Sequence, residues 1–173
     1  MWTVTGIDYE APLFANAEAR EGAGVAPMLW AKWIQRGLAG PSRSVGGRAG
    51  QYAAKKVFEM RLMNVVGQQT AIPVSEAQQI AALAAKGPWD PTELKKSDNW
   101  RRYVIRDDDP PLDIRLLFSK SDDCWSYQAD LGDSKFKQSA TLVLAAGREL
   151  IAVSKYCWKL LNESGRTTTG REN

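Results

Sequence analysis

Two periods of apolar residues run along this chain, and the change between them falls in the late eighties. Val57, Phe58, Leu62, Val65 and Val66 recur at helical spacing, and Val74, Ala77, Ile80, Ala81 and Leu83 repeat the pattern after Pro73. Ser75 and Glu76 suit the first turn of that later helix. Past residue 98 the period drops to two. Leu112, Ile114, Leu116 and Phe118 alternate with Asp113 and Arg115, and Trp125, Tyr127 and Ala129 alternate with Ser126 and Gln128, which predicts antiparallel strands. Arg102 to Arg106 and Thr141 to Leu144 predict two shorter ones. A helix from about Arg148 to Asn162 follows, with Leu150, Val153, Cys157 and Leu161 on one stripe and Ile151 and Trp158 widening it. The polar tail from Ser164 predicts a frayed end.

The stretch from Ala15 to Leu38 carries a different signal. A short helix, Ala15 to Glu21, meets Gly22-Ala23-Gly24-Val25 and then a second helix, Pro27 to Gln35, stopped by Gly37. Glycine supplies the positive φ that a tight interhelical turn requires, Val25 plugs the gap between the helices, and Pro27 is tolerated in a first turn. Spacing puts Trp30, Trp33 and Ile34 on one inward face, which leaves Met28, Leu29, Ala31, Lys32 and Gln35 outward and able to enter a major groove. Arg43 and Arg48 then sit in a Gly/Ser-rich loop that closes at Gly50-Gln51-Tyr52, ahead of a helix predicted over Ala53 to Val66 with Lys55 and Lys56 near its start. A flexible basic loop beside such a helix has the makeup of a wing, which lies along a phosphate backbone or dips into the minor groove.

Charge sharpens this picture. The 173 residues carry a formal net charge of only +3. Yet Arg20, Lys32, Arg36, Arg43, Arg48, Lys55, Lys56 and Arg61 face only Glu21 and Glu59 within their own segment, a local +6 against −3 elsewhere. Such segregation suits a polyanion-binding module joined to something else. At 44% hydrophobic and 25% charged residues the chain is expected to fold. It has no histidine, which removes Ser-His and Cys-His catalysis and every His-containing metal site. Cys124 and Cys157 lack metal-ligand spacing and read as buried, inert thiols. Asp107-Asp108-Asp109, followed by Pro110-Pro111, reads as a solvated turn rather than a cation site. No catalytic residue, metal or cofactor is therefore expected. With no signal-peptide-like opening and no apolar run near the roughly 20 residues that cross a bilayer, a cytoplasmic, non-membrane protein is expected.

Taken in order, Gly24-Val25-Ala26-Pro27, Trp33, Arg36-Gly37-Leu38, the glycine-bearing loop ending in Tyr52 and the Ser75-Glu76-Ala77 helix resemble the MerR-like winged helix-turn-helix domain. The likeness covers roughly residues 7 to 85. With the strand pattern beyond it, it implies an α+β protein: an N-terminal all-α winged helix-turn-helix over residues 1–86, a linker over 87–97, and a small antiparallel-sheet plus helix domain over 98–163 for dimerisation or effector binding. A flexible tail over 164–173 would follow. Residues implied to touch DNA are Pro27, Met28, Ala31, Lys32, Gln35 and Arg36 on the second helix, Arg43, Arg48, Gln51 and Tyr52 on the wing, and Lys55 beyond it. Five positions depart from the family pattern, which usually has arginine where Ala31 stands, a Ser or Thr N-cap at Ala26, often aspartate at Lys56, and small or apolar residues where Arg20 and Gly22 stand. The resemblance implies a transcriptional regulator, not an enzyme, acting on double-stranded DNA, with a small-molecule effector possible. An excisionase-like DNA-bending role and a protein-binding adaptor stay open beside it. A homodimer is expected, because Leu150, Ile151, Val153, Cys157, Trp158, Leu160 and Leu161 cover more of the last helix than a small sheet would bury.

Overall fold

The computed structural model describes residues 3–4, 7–41, 50–86, 115–130 and 142–165. Within these, twelve elements follow one another: β1 (Thr3–Val4), β2 (Ile7–Asp8), β3 (Pro12–Phe14), α1 (Asn16–Gly22), α2 (Pro27–Gln35), β4 (Tyr52–Ala53), α3 (Ala54–Gln69), α4 (Val74–Lys86), β5 (Arg115–Ser121), β6 (Cys124–Asp130), β7 (Leu142–Leu144) and α5 (Ala146–Glu163). This is an α+β arrangement of helices and small antiparallel sheets. The N-terminal half is not all-α as the pattern implied. β1 pairs with β2, and β3 pairs with β4 across the α1–α2 segment. The linker, the Arg102–Arg106 strand, the Asp107–Asp109 run and the tail beyond residue 165 lie outside the described residues.

Both short helices end in the same way, and their glycines explain how. Gly24 at φ +66° lets Val25 N–H reach back to Arg20 O (3.1 Å) and Gly24 N–H to Glu21 O (2.9 Å). Gly37 at φ +71° closes α2 alike, through Leu38 N–H to Trp33 O at 2.8 Å. These are Schellman closures, which satisfy carbonyls that a helix end would leave bare. Val25 is buried at the α1–α2 turn, as expected.

The remaining helices organise around α3. Ala54, Val57, Phe58, Met60, Leu62, Met63 and Val66 are all buried, on too many sides of the helix for a surface position. It packs against α4, α5 and α1. α4 presents Ala77, Ala81, Ala84 and Ala85 with Ile80, small side chains that let backbones approach closely. In the three-stranded sheet, ordered β6-β5-β7, Leu116 and Phe118 point into the core and Trp125, Tyr127 and Ala129 pack against it, following the predicted alternation. Asp122 and Asp123 both take positive φ in the two-residue β5–β6 turn, the geometry that matches the right-handed twist of a hairpin. Glu76 ties this hairpin to α4, accepting from Lys120 Nζ (3.0 Å) and Trp125 Nε1 (2.9 Å). These two donors, Lys120 first, hold the Glu76 carboxyl below its usual range.

One buried cluster runs from Tyr9 and Phe14 through α3 to Leu150, Val153, Cys157 and Leu161. Polar contacts follow the same path: Tyr9 Oη with Ser154 Oγ, Arg61 with Glu149, and Tyr156 Oη donating to Glu21 at 3.2 Å. Most of the apolar surface of α5 that suggested a dimer is consequently covered within the chain. Leu150, Ile151, Val153, Cys157 and Leu161 are buried, Leu160 is half-buried, and Trp158 is left 43% exposed. Sequence periodicity counted only the sheet as a cover for this helix, whereas α3 covers it too.

α1 meets α5 and α3 at Gly22. A Cβ added there would stand 2.8 Å from both Tyr156 Cδ1 and Val57 Cγ1. Gly22→Ala is therefore expected to lower the urea midpoint, because overpacking costs of about 1–3 kcal/mol exceed the roughly 1 kcal/mol of helix propensity gained. A raised midpoint would mean that the Tyr156 ring yields freely. The thiols differ from expectation in one respect: Cys157 is buried but Cys124 is exposed. Burial, and then the charge of Glu18, raises the Cys157 thiol pKa. A thiol reagent should titrate one cysteine in the native protein and both in denaturant; two fast thiols would contradict the packing of α5.

Candidate nucleic-acid interface

Trp30 fixes how α2 is rotated. Its ring is buried, its Nε1–H donates to Asn16 Oδ1 at 2.8 Å, and it lies 5.7 Å from the Tyr52 ring at a 50° tilt. Trp33, one turn on, is also buried. The opposite side of the helix faces solvent: Pro27, Met28, Leu29, Ala31, Lys32, Gln35 and Arg36 are exposed. Met28, Ala31, Lys32 and Gln35 fall at i, i+3, i+4 and i+7, a single stripe. Ile34 departs from its predicted place with the tryptophans. It is 42% exposed, because the core contact is made by the two indoles and Ile34 stands about 100° round the helix from Trp33.

The N-terminus of α2 has no side-chain cap. Ala26 takes the extended N-cap conformation with nothing to offer the first N–H groups, a loss of about 1 kcal/mol against a serine. α1 is held better, since Ala15 N–H donates to Glu18 Oε2 at 2.8 Å.

Tyr52 does not belong to the exposed set. It is 2% exposed, and its hydroxyl donates to Ala39 O at 2.9 Å and lies 3.3 Å from Asn16 Oδ1. It bonds the segment after α2 to the β3–β4 pair, so its role is to hold α2 rather than to meet a ligand. Gln51, its neighbour, is exposed. Arg43 and Arg48 lie outside the described residues.

The basic segment is narrower in space than in sequence. Lys55 pairs with Glu10 (2.8 Å), Lys56 with Glu59 (2.9 Å), Arg20 with Glu21 (3.4 Å), and Arg61 with Glu149. Glu10 and Glu149 come from outside the Arg20–Arg61 stretch, so the local count of charge could not include them. Among the described cations of that stretch, Lys32 and Arg36 alone have no acidic partner, and both stand on the exposed side of α2 or at its end. α2 itself contains no acid. Positive potential is thus concentrated beside Gln35 and the apolar stripe.

Among the described residues no helix is long and apolar enough to cross a membrane, and no group of three or more His, Cys, Asp or Glu is placed to hold a metal ion. No protein-family model, curated protein or solved structure matches the chain.

Proposed function

We propose that this chain is a DNA-binding protein that lays α2 in the major groove, with α1 and the Gly22–Ala26 turn as the supporting half of a MerR-like helix-turn-helix. One observation carries this reading: an acid-free helix, rotated outward by two buried tryptophans, presents Met28, Ala31, Lys32 and Gln35 on one stripe beside the unpaired cations Lys32 and Arg36. Among the described residues the other cations of the segment, Arg20, Lys55, Lys56 and Arg61, are engaged by acids and add less to the field. By sequence alone, Arg43 and Arg48 are assigned to phosphate contacts. Action on transcription in the cytoplasm, as a homodimer that reads two half-sites and pairs through a surface other than the covered face of α5, is the form of this function that we favour.

A second reading, a protein-binding adaptor, draws on Met28, Leu29 and Ile34, which are large, apolar and in solvent. Titration of the full-length protein against duplex DNA over a range of salt concentrations separates the two. Binding that tightens steeply as salt falls is expected, because phosphate contacts release condensed counterions. No binding at roughly 50 mM salt, where such contacts are strongest, would transfer the surface to the adaptor reading. Equal affinity for unrelated duplexes would favour the DNA-bending role over a regulator of defined sites.

A further inference from the structure

We infer that the duplex recognised by α2 is rich in A·T pairs and is read chiefly through thymine methyl groups, an inference that rests on the DNA-binding reading above. In a helix-turn-helix the N-terminal residues of the second helix reach the base edges. Here those residues are Pro27, Met28 and Leu29, followed one turn later by Ala31; all are exposed and none has a hydrogen-bonding side chain. Met28 stands 77% exposed, Leu29 37% and Ile34 42%, three of the five large apolar side chains that the described residues leave in solvent. Their concentration on one nine-residue helix separates them from the scattered apolar residues of any protein surface.

Each base makes a different demand in the major groove. Cytosine offers an amino donor and is read by Asp or Glu, which α2 lacks. Guanine offers two acceptors and is best read by a bidentate Arg or Lys. Lys32 is a point charge in the middle of the helix, and Arg36 stands at the C-cap, away from the turn that meets bases, where a phosphate is its natural partner. Adenine matches a carboxamide, which α2 carries only at Gln35, its last residue, and thymine alone presents a methyl group to an apolar side chain. Met28 and Ala31 therefore select thymine, and Lys32, Gln35 and Arg36, further along the helix, supply attraction and phosphate contacts without strong preference.

The test uses the full-length protein and a pool of random-sequence duplexes. Retained duplexes are sequenced, and each thymine of the preferred site is replaced singly by deoxyuridine, which removes only the C5 methyl. A·T-rich sites are expected, with affinity falling about fourfold at one or more thymines, the worth of roughly one buried methylene. Met28→Ala, at an exposed position that leaves the circular dichroism spectrum unchanged, should abolish the penalty at one such thymine. Preferred sites rich in G·C, or uracil substitutions that are neutral throughout while duplex binding persists, would overturn this inference and leave DNA binding standing. If no duplex is retained, both fall, and the exposed apolar side chains of α2 belong to a protein partner.

Discussion

Trp33→Ala should destabilise the protein by about 3–5 kcal/mol, the range for removing a large aromatic side chain from a core. Trp33 is 4% exposed on the inward side of α2 and belongs to the buried cluster that also holds Trp30, Tyr52 and Phe58. Urea unfolding followed by tryptophan fluorescence measures the loss as a fall in midpoint at unchanged slope. Ile34→Ala, one residue on but 42% exposed, should stay within about 0.5 kcal/mol of the parent, as surface changes do. Similar losses for the two variants would show that α2 is rotated differently from the orientation described.

The largest effect on binding is expected from Lys32→Ala combined with Arg36→Ala. Neither side chain makes an ion pair within the described residues, so stability should move by less than about 0.5 kcal/mol. Affinity for duplex DNA should fall by more than about a hundredfold, since each hydrogen bond to a charged group is worth about 1.5–3 kcal/mol and two are removed. The slope of log affinity against log salt should become shallower by about 0.9 for each phosphate that is no longer neutralised. Lys55→Ala, which removes a cation already engaged by Glu10 at 2.8 Å, should weaken binding far less. Equal losses from all three cations would mean that the whole segment attracts DNA as a diffuse charge and that α2 has no special place in it.

The turn between α1 and α2 was legible in the sequence because glycine punctuation and i, i+3 spacing are local signals, and Gly24, Gly37, Val25, Trp30 and Trp33 take the places they imply. The same was true of the β5–β6 hairpin, where alternation matches the pleat. Strands of two or three residues such as β1 to β4 have no period to read, so the N-terminal half passed as purely helical. Tyr52 was misread for a related reason: its place at the end of the wing implied a contact with DNA, and only the fold brings Ala39 O and Asn16 to its hydroxyl. Charge was misjudged through distance along the chain. Glu10 lies 45 residues before Lys55, and Glu149 lies 88 after Arg61. Pairing at such separations is a property of tertiary structure. The surplus attributed to α5 failed likewise, because the partner that covers it is α3.

Tyr9 and Ser154, 145 residues apart, meet only after α5 has been synthesised. Ribosomes deliver about 5–20 residues each second, and N-terminal segments usually fold as soon as they emerge. Here the apolar sides of α3 that α5 covers stay open to solvent until that last helix has left the exit tunnel. For much of its synthesis the nascent chain carries Val57, Phe58 and their neighbours unshielded, a natural target for a ribosome-associated chaperone. A stop codon anywhere before α5 would release a polypeptide without the helix that covers this side of its core, and such a fragment is expected to be cleared by quality-control proteases rather than to accumulate.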